Sequence, residues 1–191
     1  MFEEKFRQWT QGKDAVQARL SIYEEIRDIP YAVVPALNDV ENYMEILRLG
    51  RGSCMPKHFL LCNMYQRLGV PVLYAVYPFR WGEAEIAYPS RLRKLAEAMP
   101  TGYHIACRVS IGGELVLVDA TLDKPLKKLG LPVNEKWDGV SDTLLPVASC
   151  GKEQIYHPSE ACRIQTRPEG DAEAFYDGLN RWLDELRGCC R

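Results

Sequence analysis

The chain carries no sequence feature that would direct it to a membrane or a secretory route. Residues 1–7 contain no positively charged segment leading into an apolar run, and no uninterrupted apolar stretch approaches the length of a membrane span. Internal repeats and low-complexity segments are also lacking. We therefore expect a soluble, cytoplasmic protein with no membrane partner.

An excess of charge of one sign is missing as well. The 191 residues include 26 acidic and 24 basic side chains, which gives a formal net charge of -2, and no long run carries a single sign. A surface that binds nucleic acid usually depends on net positive charge. We therefore expect no nucleic-acid partner, and a substrate that is a peptide, a protein or a small amide.

Cysteine spacing favours neither a disulfide framework nor a structural metal site. The seven cysteines are an odd number and lack the paired spacing that is typical of metal ligands. We expect reduced thiols, and no bound metal or cofactor. Apart from Cys54, discussed below, we expect core, loop or surface thiols at Cys62, Cys107, Cys150, Cys162, Cys189 and Cys190.

Helical patterns flank the middle of the chain on both sides. Apolar residues at helical spacing predict helices over about 13–28 and 39–49, and a short one between Pro89 and Pro100. A closing helix is expected to stop at Gly188. At this length, the elements suit a single domain.

The middle of the chain predicts an antiparallel sheet. Residues 70–77 are nearly all apolar, as expected of a strand that is buried on both faces. Strands 103–111 and 114–120 are separated by two glycines that can adopt the positive φ angles of a tight hairpin. The predicted fold class is α+β; residues 121–169 are too irregular to assign beyond short extended pieces.

Cys54 is the candidate nucleophile. Ser53 suits the N-cap of a predicted helix, and Pro56 is tolerated in its first turn, where backbone N–H groups have no intrahelical partner. These N–H groups and the helix dipole favour the thiolate of Cys54. At the helical phase of 100° per residue, Cys54 shares a face with His58 and Leu61, so the thiol points toward the sheet. A structural cysteine would also fit this position.

His104 and Asp119 are the candidate base and the group that orients it. A two-residue hairpin turn places Ala106 opposite Asp119 and His104 diagonal to it, whereas a four-residue loop places His104 directly opposite Asp119. Both registers put the two side chains on one face of the sheet. Because a carboxylate that follows the apolar run 115–118 is costly to bury alone, we expect the imidazole to be its partner.

Three sequence blocks resemble the transglutaminase-like superfamily, whose papain-like core has a cysteine at the start of a helix and then histidine and aspartate on neighbouring strands. In order, the blocks are Gly52-Ser53-Cys54, Arg67-Leu68-Gly69-Val70-Pro71-Val72 and Leu117-Val118-Asp119-Ala120-Thr121. The resemblance covers about 45–122, and it implies one transglutaminase-like domain over 1–191 with helical extensions. The chain departs from the family's pattern at Met55, where a tryptophan is common, and at Ala106, where an aromatic residue is common.

The resemblance implies a Cys-His-Asp triad of Cys54, His104 and Asp119. Such a triad transfers the acyl group of an amide or ester to water, as in a protease or amidase, or to an amine, as in a transglutaminase. One alternative is a catalytically inactive module that binds peptides or proteins on the same fold. Another is a thioester-dependent N-acyltransferase, because Arg51-Gly52-Ser53-Cys54 partly matches the cysteine motif of arylamine acetyltransferases.

Substrate contacts are expected from three further residues. Arg80 and Trp81 follow the first strand and open a segment longer than an ordinary hairpin loop, and His58 lies one helical turn from Cys54. An aromatic cap on the core is the other interpretation of this segment. Cys54, His58 and His104 could also be written as zinc ligands, but their spacing is weak evidence for a metal site. A buried His58 that packs beneath the triad residues is favoured over a zinc ligand.

Overall fold

The computed structural model describes residues 1–164 and 172–188. The fold of these residues is α+β, as predicted, with an antiparallel sheet packed against a helix that begins at Cys54. The helices are α1 (Phe2–Thr10), α2 (Ala15–Arg27), α3 (Ile46–Leu49), α4 (Cys54–Arg67), α5 (Ser90–Ala98) and α6 (Glu173–Leu186), and the strands are β1 (Val72–Phe79), β2 (Gly102–Ile111), β3 (Glu114–Val118) and β4 (Gln154–Tyr156).

The sheet has the strand order β3-β2-β1-β4, with every pair antiparallel. Ile111 pairs with Glu114, so the two-residue turn is confirmed over the four-residue loop. Gly112 and Gly113 have φ angles of 61° and 92°, which a side chain would oppose. The β2–β3 ladder ends at the pair of Cys107 and Val118, so Asp119 directly follows the last paired residue of β3.

Helix α4 is buried on more than the single face that an amphipathic helix usually buries. Its inner face packs against β1 and β2, and α2 covers its other side. Even Lys57 is fully buried, and its ammonium group donates to the carbonyl oxygens of Arg27, Ile29 and Thr121. The start of α4 is therefore held from both the sheet side and the α2 side.

The predicted helices correspond to α2, α5 and α6, and one prediction was wrong over much of its length. Residues 39–49 form a 3-10 turn at Tyr43–Glu45 and the short α3 rather than one amphipathic helix. The Asp39 carboxylate accepts from the backbone N–H groups of Glu41 and Asn42, a local turn that competes with helix formation. Helix α1 was not predicted.

The expectation of reduced cysteines was wrong for one pair. Cys62 on α4 and Cys107 on β2 form a disulfide, because the buried faces of these two elements meet. Spacing along the chain does not show such a pair, since the two cysteines lie on separate elements. Cys150 and Cys162 are free and exposed, whereas Cys189 and Cys190 lie outside the described residues.

Helix α6 is fixed to the rest of the fold by polar contacts at several positions. The Asn180 amide accepts from the Val33 N–H and donates to the Val33 carbonyl oxygen, both at 2.8 Å. Near its end, Arg187 donates to both carboxylate oxygens of Asp123, at 2.7 and 2.9 Å. The helix therefore holds a defined position beside the residues that follow β3. Over 1–164 and 172–188, no helix is both long and apolar enough to cross a membrane.

Candidate active site

Cys54 is the first residue of α4, and the chain before it is held close to an earlier segment. Gly52 donates from its N–H to the Pro30 carbonyl oxygen, and its own carbonyl oxygen accepts from the Ala32 N–H. A Cβ atom at position 52 would lie 2.7 Å from Ile46 Cδ1 and 3.0 Å from Pro56 Cγ. Only glycine fits this approach, so Gly52 fixes where α4 and the half-buried Cys54 begin.

The hairpin brings His104 and Asp119 together as its register predicts. His104 Nε2 donates to Asp119 Oδ2 at 2.5 Å, and both side chains are almost fully buried. Asp119 holds Nε2, which leaves Nδ1 as the ring nitrogen available to Cys54, and an interaction with Cys54 raises the pKa of His104. Cys54 and His104 also line the same cavity, so the structure brings the three predicted triad residues together.

The charges of His104 and Asp119 stabilise each other. Burial by itself lowers the pKa of His104, but the negative charges of Asp119 and Cys54, with the hydrogen bonds to both, raise it to about 10. Burial likewise opposes ionisation of Asp119, but the charge and hydrogen bond of His104 lower the pKa of that carboxyl group. Near neutral pH the pair is therefore an imidazolium and a carboxylate.

Asp119 is itself held by four further hydrogen bonds, three of them with residues outside about 45–122. Its second carboxylate oxygen, Oδ1, accepts from the Thr121 N–H at 2.9 Å. Its backbone N–H donates to Thr143 Oγ1 at 2.8 Å, and its carbonyl oxygen accepts from the hydroxyl group of Tyr23 and the amide of Asn134, each at 3.2 Å. These contacts fix the direction in which the carboxylate points.

His58 is buried and does not line the cavity beside Cys54, so its interpretation as a buried packing residue is confirmed and its prediction as a substrate contact was wrong. Its Nδ1–H donates to the Cys54 carbonyl oxygen at 2.8 Å, and its Nε2 accepts from the Ala120 N–H at 3.0 Å. Burial lowers the pKa of His58 to about 4, so the ring is neutral. Its ring centroid lies 6.2 Å from that of His104, in an edge-on arrangement. With both nitrogens used, His58 supports the start of α4 and the end of β3.

The backbone N–H groups in the first turn of α4 receive no capping hydrogen bond from the N-cap side chain. Ser53 occupies the N-cap position but makes no capping hydrogen bond. Its hydroxyl group donates to Asn38 Oδ1 at 2.8 Å instead. Asn38 lines the neighbouring cavity together with Cys54, and the bond from Ser53 uses its amide oxygen and not its NH₂ group.

A cavity of about 100 Å³, here called the Cys54 pocket, opens beside the triad. Trp81 lines it, as predicted for a substrate contact, together with Phe79 and Tyr103. Arg80 does not: its exposed guanidinium group pairs with Glu83 at 3.2 Å, away from the thiol. That part of the prediction was wrong because neighbouring residues on an extended segment point in opposite directions.

Much of the pocket wall comes from residues that sequence reasoning did not assign to the site. Helix α6 contributes Tyr176, Leu179 and Trp182, whose helical spacing predicted a buried face but not which partner it would cover. Tyr31 contributes a buried phenol, and burial, with the nearby charge of Cys54, raises its pKa well above the usual value. No spacing or motif in the sequence points to Asn38 or Tyr31.

Among the residues that the structure describes, no cluster of three or more histidine, cysteine, aspartate or glutamate side chains is arranged to hold a metal ion. The zinc alternative required a free ring nitrogen on His58. Both of its nitrogens are bonded to backbone groups.

No protein-family model and no curated protein matches the chain. Among solved structures, it is similar to a proposed cysteine protease from Cytophaga hutchinsonii, with a TM-score of 0.45 and 17% identity, over 67% of this chain and 39% of that one. It is also similar to a proposed protease from Parabacteroides distasonis, with a TM-score of 0.41 and 17% identity, over 63% of this chain and 23% of that one. The chain thus spans less than two fifths of either protein, and we take its function from its own residues.

Proposed function

We propose that the protein is a thiol enzyme that transfers the acyl group of an amide or ester through Cys54, His104 and Asp119. The observation that supports this is the buried His104, which hydrogen-bonds the Asp119 carboxylate and lines a cavity together with Cys54, whose interaction with it raises the pKa of His104. A nucleophile, a base and a group that orients the base, each within hydrogen-bond reach of the next, are the parts that covalent acyl transfer requires.

In the first step, the Cys54 sulfur forms a bond to the substrate's carbonyl carbon, and the carbonyl oxygen takes up negative charge. The imidazolium of His104 gives its proton to the leaving amine or alcohol as the bond from carbon to that group breaks. In the second step, His104 accepts a proton from the acceptor, which attacks the thioester and releases the thiolate. Asp119 keeps the ring in one orientation throughout.

Two donors are available for the oxyanion. The Cys54 backbone N–H lies in the first helical turn and has no intrahelical acceptor. We assign the second donor to the Asn38 amide, because Asn38 lines the same cavity as Cys54 and its oxygen accepts from Ser53, which leaves the NH₂ group to donate. Donors that are positioned before the reaction stabilise the transition state without reorganisation.

The acceptor decides the type of enzyme. Water makes the protein a hydrolase of the protease or amidase kind, whereas an amine gives the transamidation that the superfamily resemblance implies. An acyl donor assay with and without methylamine separates the two: hydrolysis gives the free acid, and transamidation gives the methylamide, which mass spectrometry detects.

Thiol labelling tests the triad itself. Iodoacetamide should modify Cys54 faster than the exposed thiols Cys150 and Cys162 near neutral pH, because His104 beside Cys54 can take up the proton of its thiol. His104→Ala should slow the labelling of Cys54 and leave the labelling of the other two unchanged. Peptide mapping by mass spectrometry gives the three rates separately.

Equal rates at Cys54, Cys150 and Cys162, unaffected by His104→Ala, would falsify the enzymatic proposal and favour a binding module. The matched control is His157→Ala, since this exposed histidine does not line the Cys54 pocket and its removal should leave the rate at Cys54 unchanged. Cys162 lies in the 3-10 turn that His157 caps, so the control is judged on Cys54 and Cys150.

A further inference from the structure

We propose that the Cys54 pocket binds an uncharged aromatic group of about phenyl size on the acyl side of the substrate. The substrate would then be an amide or ester whose carbonyl carries an aromatic side chain. The acyl assignment rests on the proposed function, since it requires Cys54 to attack that carbonyl. Occupation of the pocket by an aromatic group does not require any reaction.

The walls of the pocket are predominantly aromatic and aliphatic. Trp81 is held in place on two sides, with its ring centroid 4.9 Å from that of Phe79 and 5.1 Å from that of Phe175, both in edge-on contacts. Helix α6, to which Phe175 belongs, also contributes Leu179 and Trp182 to the lining. Aromatic rings prefer such edge-on and offset partners, so a phenyl group would find suitable contacts on more than one wall.

Charge is excluded from the lining. Apart from the reacting pair of Cys54 and His104, none of the described lining residues is an aspartate, glutamate, lysine or arginine. A charged side chain of a substrate would lose its hydration there without gaining an ion pair. The pocket should therefore reject acidic and basic groups and accept apolar ones.

The pocket suits the acyl group better than the leaving group. The leaving amine must depart after the first step, whereas the acyl group stays attached to Cys54 until the second. Helix α6 forms part of the wall and is fixed through Asn180 and Arg187, so a group bound in the pocket should dissociate slowly. Retention helps the group that must remain and hinders the group that must leave.

Binding to Cys54→Ala tests the pocket without any chemistry. Trp81 and Trp182 line the pocket, so tryptophan fluorescence reports its occupation. We expect N-acetyl-phenylalanine methylamide to bind at least about tenfold tighter than N-acetyl-glycine methylamide, from burial of the ring's apolar surface. N-acetyl-glutamate methylamide should bind no tighter than the glycine compound, and 3-phenylpropanoyl methylamide shows whether the ring suffices without an amino acid.

Alkylation of the wild-type protein tests the acyl side. A chloromethyl ketone places its side chain on the acyl side of the carbon that the thiolate attacks. We expect N-acetyl-phenylalanine chloromethyl ketone to modify Cys54 at least about tenfold faster than the glycine analogue, for the same reason. N-acetyl-glycine benzylamide, added as a competitor, should protect Cys54 less well than N-acetyl-phenylalanine methylamide.

Filling the pocket should remove the preference for the ring. Leu179→Trp places a large side chain in the cavity, and Leu186→Trp is the matched control, because Leu186 lies on the same helix but is exposed. We expect the first to reduce the phenylalanine preference to near unity and the second to retain it. If Leu179→Trp does not fold, as judged by its thermal unfolding, Trp182→Ala replaces it and should weaken phenylalanine binding several-fold.

The outcomes separate the two proposals. Equal affinities of the phenylalanine and glycine methylamides, or tighter binding of the glutamate compound, overturn the pocket assignment even if Cys54 labels rapidly. A benzylamide that protects better than the phenylalanine compound places the ring on the leaving side and overturns the acyl assignment. If the phenylalanine preference holds but Cys54 is no more reactive than the other thiols, the pocket stands and the proposed enzymatic function fails.

Discussion

The proposed triad and the wall of the Cys54 pocket are built in different ways. Cys54, His104 and Asp119 come from one helix and one hairpin, and a short hydrogen bond joins the buried side chains of His104 and Asp119. The wall combines a connection before α4, the segment after β3 and helix α6, which are distant in sequence, and its lining is mostly apolar. The difference suggests that the chemistry depends on local geometry and the choice of substrate on long-range packing.

Substitutions in the two regions should therefore affect different measured properties. A change in the triad should alter the rate and the pH dependence of the reaction and leave the affinity for an aromatic group almost unchanged. A change in the wall, or in what fixes α6, should alter affinity and stability and leave the reactivity of Cys54 almost unchanged. The predictions below test whether the two regions separate in this way.

The largest effect is expected at Asp119. Asp119→Asn keeps the shape of the side chain but removes the charge that orients His104, and we expect kcat to fall by about 10³- to 10⁴-fold. Hydrolysis of N-acetyl-phenylalanine 4-nitroanilide measures it. Asp177→Asn, on the exposed side of α6, is the control and should leave kcat unchanged.

The same variant should change the pH profile in a defined direction. Asp119 raises the pKa of His104, so in the wild type the imidazolium persists, and activity declines only as pH rises through about 10. Without the charge, that decline should move to lower pH. Wild-type stability should likewise fall as pH rises through about 10, because a pKa above the unfolded value of about 6.5 stabilises the fold only while the histidine is protonated. An unshifted profile would argue against His104 as the acid.

A smaller effect is expected at Asn38, which lies where the two regions meet. Asn38→Ala removes one oxyanion donor, and we expect kcat to fall by about 10²- to 10³-fold with little change in the iodoacetamide labelling of Cys54. Asn63→Ala, on α4 away from the pocket, is the matched control. A loss of labelling equal to the loss of kcat would instead give Asn38 a structural role at the start of α4.

The triad could be predicted from sequence because each of its members follows from a local rule. The helical start at Ser53 and Cys54, and the pairing of Ile111 with Glu114 across two glycines, are set by residues close in the chain. Once the hairpin register is known, His104 and Asp119 must share a face. No tertiary information is needed for that step.

The hydrogen bonds of His58 and the wall of the pocket could not be predicted from sequence. Helical periodicity gives the face on which a side chain lies, but not how deeply it is buried or which residues it contacts. Helical phase put His58 on the same face as Cys54 and allowed a buried position beneath the site, but it did not show that both ring nitrogens would bond to backbone groups. The amphipathic pattern of α6 predicted a buried face without showing that it would close the pocket. Asn38 ends a short 3-10 turn, where no repeat marks its role.

A smaller effect than at Asn38 is expected at the ion pair that attaches α6 to the segment after β3. Arg187 and Asp123 form a buried ion pair, with side chains 6% and 2% exposed, so Arg187→Met leaves a buried carboxylate without its partner. We expect the free energy of unfolding to fall by about 3 kcal/mol, measured by urea denaturation. Binding of N-acetyl-phenylalanine methylamide should weaken, while labelling of Cys54 changes little. Parallel losses of labelling and affinity would show that the two regions do not separate.

The smallest effect is expected at the other ion pair that reaches α6. Arg51 and Asp184 lie 3.1 Å apart, but both side chains are 35% exposed, so solvent screens their attraction. Arg51→Ala should lower the free energy of unfolding by at most about 1 kcal/mol, with no change in aromatic preference. Arg51 is three residues before Cys54, so proximity to the nucleophile alone would predict a large effect. A small one would show that burial of the contact, and not its distance from the thiol, decides what fixes the pocket wall.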